Sequence, residues 1–291
     1  MDRVKTAFGG WGSGLLGMLI FSGSLPATRV AVAGFSPLFL TSARAVIAAL
    51  LGATLLMLAC QARPRRGDLV SFSIVAVGVV IGFPLLTALA LQHVTSAHSV
   101  IFIGLLPLAT ATFGVLRGGE RPQPLFWLFA ILGSLMVVGF ASTRNGSASL
   151  IGDLLMIAAI LLCGLGYAEG ARLSRHYGGW QVISWALVLA LPMMSVLALA
   201  TFPESASWAF VPMRAWLGLA YVSVFSMLIG FVFWYRGLAL GGTASVGQLQ
   251  LLQPFFGLVL AGWLLQEPID ASMIVTALLV VVCVALARRF A

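Results

Sequence analysis

The sequence predicts an all-α integral membrane protein of ten transmembrane helices, arranged as two inverted five-helix repeats. Three observations carry this prediction. The 291 residues are 61% hydrophobic and only 8% charged, where an ordinary soluble domain carries about 25% charged residues. Such a chain lacks the polar shell that would cover its apolar surface in water, so that surface must face lipid. Apolar runs of about 20 residues, the length that crosses a hydrocarbon core, recur from end to end. The chain also matches itself at an offset of 147 residues.

The first run, residues 11–32, follows the basic segment MDRVKTAF. With AVA at Ala31 to Ala33 it resembles a cleavable signal peptide, but nothing downstream looks like a soluble domain, so a retained span is expected. Phe21 and Ser24 lie near its middle. GSGLLG, Gly12 to Gly17, completes a GxGxxG pattern with no strand before it, so the dinucleotide reading fails and close helix packing is expected instead. The second run, 36–60, contains Arg44, eight residues in and about 12 Å from its end. Arg44 would suit a substrate carboxylate; a peripheral second span favours instead an arginine that caps carbonyls or snorkels outward. The third run, 68–91, contributes Phe83.

The fourth run, 96–117, opens near His98 and holds Phe102 and Pro107; the fifth covers 124–141. The sixth, 151–172, carries Tyr167 and then Glu169, three residues from Arg172, a helical ion-pair spacing. The seventh is 180–202. The eighth, 213–235, holds Tyr221, Phe225 and Trp234. The ninth, 243–264, contains Gln248, Gln250, Gln253 and Pro254, and the tenth is 271–288. Barrel-type alternation of lipid-facing and lumen-facing residues is absent, which leaves helices.

Ten spans put both termini on one side. That side would hold Arg3, Lys5, Arg63, Arg65, Arg66, Arg117, Arg121, Arg172, Arg175, Arg236, Arg288 and Arg289, against Arg29, Arg144 and Arg214 opposite. The excess of cations places both termini in the cytoplasm. The net charge of +8 is scattered between apolar runs, which argues for topology and against a nucleic-acid surface. Cys60, Cys163 and Cys283 lie apart, and His93 and His98 lack ligand spacing, so neither a disulfide framework nor a metal site is expected. No cofactor is expected.

At the 147-residue offset, Ala97, Leu105, Pro107, Glu120, Ala130, Leu132 and Val137 meet Ala244, Leu252, Pro254, Glu267, Ala277, Leu279 and Val284. Residues 1–145 and 146–291 are therefore read as two copies of one unit. Five is an odd number, so the second copy enters the membrane from the opposite side, an architecture common among secondary transporters. Pro107 and Pro254 fall near the midplane and would kink their helices, freeing the carbonyls of Ile103 and Gln250. Asp153, Glu120 and Glu267 fall at span ends and read as boundary markers. Gln250 and Gln253 share a face, with Gln248 turned away, so one glutamine is expected to bond a neighbouring helix while others face a cavity.

LPLATATFGVLRGGERP (Leu106 to Pro122), QPFFGLVLAGWLLQEP (Gln253 to Pro268) and SPLFLTSARAVIAALL (from Ser36) resemble the drug/metabolite transporter superfamily, specifically its EamA-type ten-span members. Size and pattern are also similar to YddG-type aromatic amino acid exporters. The resemblance implies an exporter of amino acids, aromatic ones among them, or other small metabolites in the bacterial inner membrane. It also implies a central cavity lined from the first, third, fourth, sixth, eighth and ninth spans. Phe21, Ser24, Phe83, His98, Phe102, Tyr167, Tyr221, Phe225, Gln250 and Gln253 are then the substrate-binding candidates, and Pro107 and Pro254 the gating candidates. The partners expected are a small-molecule substrate and the lipid bilayer. A nucleoside or drug-like amine is the alternative cargo. The alternative functions are an intramembrane enzyme, for which the convergent catalytic set it needs does not show along the chain, and a channel, for which a charged ring or carbonyl filter would be expected.

Overall fold

A computed structural model describes residues 2–94, 102–142, 149–202, 211–253, 255–257, 259–260 and 271–291, and the described residues contain helices and no strands. In chain order they are α1 (Asp2–Ser22), α2 (Ser24–Ala31), α3 (Pro37–Leu58), a 3₁₀ turn (Arg66–Asp68), α4 (Leu69–Val75), a π-helical stretch (Ala76–Gly82) and α5 (Phe83–Ala90). Then come α6 (Leu106–Gly118), α7 (Pro124–Ser142), α8 (Leu150–Tyr177), α9 (Gly179–Ala200) and α10 (Met213–Ala220). A second π-helical stretch (Tyr221–Ile229), α11 (Gly230–Gly241), α12 (Thr243–Gly247), a 3₁₀ turn (Gln248–Leu252) and α13 (Ala271–Arg289) complete the order.

Among the described residues, six helical segments are long and apolar enough to cross a membrane: Gly9–Ala31, Pro37–Leu58, Arg66–Ala90, Leu150–Tyr177, Gly179–Ala200 and Met213–Gly241. They coincide with the first, second, third, sixth, seventh and eighth predicted runs. α7 and α13 cover the whole of the fifth and tenth runs, and α6 and α12 with its 3₁₀ turn occupy parts of the fourth and ninth. The sixth and eighth segments outrun their predicted ends at 172 and 235, because hydropathy falls before the helix does. Each stops only at a glycine in the left-handed half of backbone space, Gly178 at φ 91° and Gly242 at φ 87°, where a side chain would be strained. Helix starts follow their sequence: Ser36 Oγ accepts from Phe39 N–H at 3.2 Å with Pro37 in the first turn of α3, and Ser149 Oγ accepts from Gly152 N–H at 3.5 Å, satisfying donors that the first turn leaves open.

Pro107 corrects an expectation. Rather than kinking a continuous helix, it lies in the first turn of α6, just after a turn at Gly104 and Leu105. A first-turn residue has no intrahelical donor to lose, so the missing N–H costs nothing there. Pro254, His98 and Glu267 lie outside the described residues.

The helices pair in a regular way. α1 packs along α11, α3 along α9, α8 against α4, α5 and the π stretch between them, α6 against α8 and α12, and α7 against α13. Glycines set the closest approaches: a Cβ on Gly237 would fall 2.6 Å from the Gly14 backbone, and one on Gly78 3.0 Å from Gly166 Cα. Small residues let helices approach closely where lipid, unlike water, supplies no hydrophobic drive to associate. Gly14 and Gly17 of the GSGLLG segment make such contacts, while Gly12 faces open space. The outer faces are strongly apolar, with Leu50, Leu55 and Leu58 on α3, Leu135 on α7 and Leu154 and Leu161 on α8 all exposed. Surface of that character belongs in hydrocarbon.

Candidate transport site

The first membrane segment is broken. α1 ends at Ser22 and α2 restarts at Ser24, and Pro26 has no N–H to return to the Ser22 carbonyl, so the ladder cannot run through. Side chains from other helices reach the carbonyls at the break: Tyr221 Oη donates to Ile20 O at 2.7 Å, which also accepts from Gly23 N–H at 3.3 Å, and Gln253 Nε2 donates to Phe21 O at 3.5 Å. A Cβ on Gly23 would overlap the Tyr221 hydroxyl, so the break also admits the tyrosine.

Ser24 Oγ lies 2.7 Å from Ser226 Oγ, which accepts from Arg44 Nη2 at 3.3 Å. Arg44 is only 8% exposed, and its Nε is buried without a partner. The expectation that it caps carbonyls or snorkels outward is therefore corrected: the guanidinium points inward. Ser226 sits within the second π-helical stretch, where each turn holds an extra residue and side-chain directions shift from α-helical register. Sequence reading missed Ser226. Its one visible signal was a hydroxyl within an otherwise apolar run, three residues from Ser223.

Next to the break lies an aromatic cluster. Phe21 meets Phe231 at 5.0 Å and Trp234 at 6.1 Å between ring centroids, and Tyr167 meets the same two at 5.9 and 5.5 Å. Such offsets suit edge-to-face packing. Tyr235 Oη donates to Gly166 O at 3.2 Å. Buried in the same interior, Trp234 Nε1, both amide atoms of Gln248 and both of Gln250 have no hydrogen-bond partner. Each such group costs about 1–3 kcal/mol when left unmade, so this concentration calls for a reason. Among the glutamines it is Gln253 that bonds a neighbouring helix. The 3₁₀ turn carries Gln248 and Gln250 at about 120° per residue, not the α-helical 100°, and both are fully buried.

Of the remaining candidates, Phe102 is buried, Phe83 and Tyr221 are half-buried, and Phe225 is exposed and stacked on Tyr221 at 5.5 Å. The structure thus draws Phe21 and Tyr167 into one cluster, and Ser24, Tyr221 and Gln253 to the break, while Phe225 lies on an exposed face.

Charged residues gather at the other end of α8. The buried Glu169 carboxylate accepts from Arg117 Nε at 3.0 Å and pairs with Arg172, whose Nη2 also reaches Ser71 Oγ at 2.7 Å. The pairing read from the Glu169–Arg172 spacing holds, with Arg117 added from α6. Glu120 marks a boundary by joining elements: its two oxygens accept from Thr243 N–H and Ala244 N–H, both at 2.7 Å, and Arg175 Nη2 pairs with it at 3.1 Å. It caps α12 from the end of α6, a placement favoured by the helix dipole. Among the described residues there is no cluster of three or more metal-ligating side chains.

The family model for the EamA-like transporter family matches residues 10–141 and again 150–289. The chain is 63% identical to a Bacillus subtilis (strain 168) protein named "Uncharacterized transporter YdeK", over 97% of this chain and 98% of that one. It is 23% identical to "Uncharacterized transporter YyaM" of the same organism, over 92% and 90% of the two chains. It is 24% identical to an "Uncharacterized transporter" of Archaeoglobus fulgidus, over 88% and 89%. A solved structure described as "Crystal structure of protein" aligns with a TM-score of 0.80 at 18% identity, covering 97% of this chain and 99% of that one, which shows a shared fold. Matches that span both halves, and a relative this similar over nearly its full length, establish that the chain belongs to the EamA-like transporter family and is an integral membrane transporter.

Proposed function

We propose that the protein is a secondary transporter that moves amino acids or similar small metabolites across the bacterial inner membrane by alternating access between two inverted five-helix repeats. The observation that carries this reading is the broken first segment, whose carbonyls at the break and serine hydroxyl meet side chains of the eighth and ninth. Irregular backbone at membrane depth is tolerated where it lines a cavity or is buried in protein, and in transporters such breaks mark the substrate site.

The pairing of helices supports the repeat. Exchanging the first five predicted spans for the last five turns the first–eighth contact into the sixth–third contact, and returns the second–seventh, fourth–ninth and fifth–tenth contacts to themselves; every pair is present. The π-helical stretches, Ala76–Gly82 and Tyr221–Ile229, fall in the third and eighth spans, and their last residues are 147 apart, the offset of the sequence match. Two matches of one family model, one per half, point the same way. The aromatic cluster favours a cargo with an apolar or planar side chain. Export as the net direction, and aromatic amino acids as the cargo, are what the likeness to EamA-type exporters suggests.

Purified protein reconstituted in liposomes tests the reading. Saturable counterflow of labelled amino acids, driven by unlabelled amino acid trapped inside, is the expected result. Unsaturable conductance would indicate a channel and chemical conversion of the probe an enzyme, and either would overturn it.

A further inference from the structure

We infer that Arg44, Ser226 and Ser24 form a subsite for the carboxylate of the transported molecule, an inference that rests on the transporter reading above. Arg44 lies seven residues after Pro37, the first residue of α3, inside an apolar segment. Among the described residues it has one hydrogen-bond partner, Ser226 Oγ, and no carboxylate lies within 4.0 Å of it. A guanidinium offers five donors in a planar fork that matches the two oxygens of a carboxylate. Held in an apolar interior with a single hydroxyl, it is short of acceptors and of negative charge. Ionisable groups retained inside a membrane segment at such cost mark substrate paths or find a partner.

A second observation converges on the same place. α2 begins at Ser24, its N-cap Gly23 provides no side-chain cap, and Ser24 Oγ lies 2.7 Å from Ser226 Oγ. The positive end of this eight-residue helix therefore opens beside the hydroxyl pair that Arg44 addresses. Half-helix N-termini created by a break in a membrane span favour anionic substrate groups. Either serine hydroxyl can be the donor in the pair, so both can rotate towards an incoming oxygen. One fixed cation and one helix end suit a singly charged carboxylate better than a dianionic phosphate. The neighbouring aromatic cluster then receives the side chain.

The test uses the full chain in detergent and probes that differ only at the acid: L-phenylalanine with L-phenylalaninamide and phenethylamine, L-leucine with L-leucinamide and isoamylamine, and inorganic phosphate. The acids are expected to raise the unfolding temperature, as ligands of the folded state do, while the amides, amines and phosphate leave it unchanged. Arg44→Gln should bind the acids roughly tenfold to a hundredfold more weakly, the loss of one charge-assisted hydrogen-bond set. Without ligand it should unfold at or above the wild-type temperature, because it removes an uncompensated charge. Arg44→Lys, which keeps the charge without the fork, should respond between the two, and Ser226→Ala provides a smaller second change.

Amides that stabilise as well as acids, an Arg44→Gln variant that responds like wild type, a response to phosphate alone, or no response to any acid would each overturn the subsite. Counterflow in liposomes separates this from failure of the transporter reading. Saturable exchange of phenethylamine or an amide, independent of Arg44, keeps the carrier and removes the carboxylate subsite. Absence of saturable flux for every probe removes both.

Discussion

At the scale of the residue, Gln250 shows why burial and function pull in different directions. Its amide is fully buried and both of its polar atoms lack partners, so it lowers the stability of the folded state. Gln250→Leu should therefore raise stability by about 1–2 kcal/mol, seen as a higher unfolding temperature in detergent, while amino acid counterflow falls about tenfold or more. Wild-type flux in a well-folded variant would remove Gln250 from the site. The sequence revealed which residues were out of place in lipid, and the Glu169–Arg172 pair was legible because its partners lie one helical turn apart. Arg117, the other partner of Glu169, was not, since it reaches across from a different helix 52 residues away. Arg44 was misread for the same reason: its acceptor, Ser226, is 182 residues distant, and no local spacing announces a contact made only by folding.

At the scale of the element, membrane helices were visible as apolar runs because length and hydropathy are properties of a single segment. The breaks within them were not. The restart at Ser24, the 3₁₀ turn at Gln248–Leu252 and the two π stretches depend on packing against neighbours, and a proline marks an interruption without saying whether it kinks one helix or opens a new one, as the first-turn position of Pro107 shows. Helix approach is equally a matter of neighbours. The Gly237 Cα sits so close to α1 that an added Cβ would lie 2.6 Å from both Gly14 Cα and Gly14 N, whereas at Gly12 nothing lies within 4 Å. Gly237→Val should destabilise the protein by about 1–3 kcal/mol, the usual cost of overpacking, and Gly12→Val by far less. Thermal unfolding of the two variants side by side checks the contrast; equal losses would mean that helix propensity, not the α1–α11 approach, sets the effect.

At the scale of the whole molecule, the repeat and the charge distribution make one joint claim about topology. If each half contributes five spans, the chain crosses the membrane an odd number of times by Asn145 and an even number by Ala291. The twelve cations counted on the terminal side, against three opposite, would then place that side in the cytoplasm, because translocation of basic loops is disfavoured. A reporter active only outside the cytoplasm should thus be active when fused after Asn145 and silent when fused after Ala291, and a reporter active only in the cytoplasm should give the reverse. Activity of one reporter at both sites would require an even number of spans between them, in the second half, and two copies of one unit with even spans are parallel. Parallel copies would keep the same helix pairs in contact but could not exchange inward-open for outward-open states by swapping the conformations of the halves. The fusion pair therefore tests the alternating-access mechanism through its geometric premise, without knowledge of the cargo.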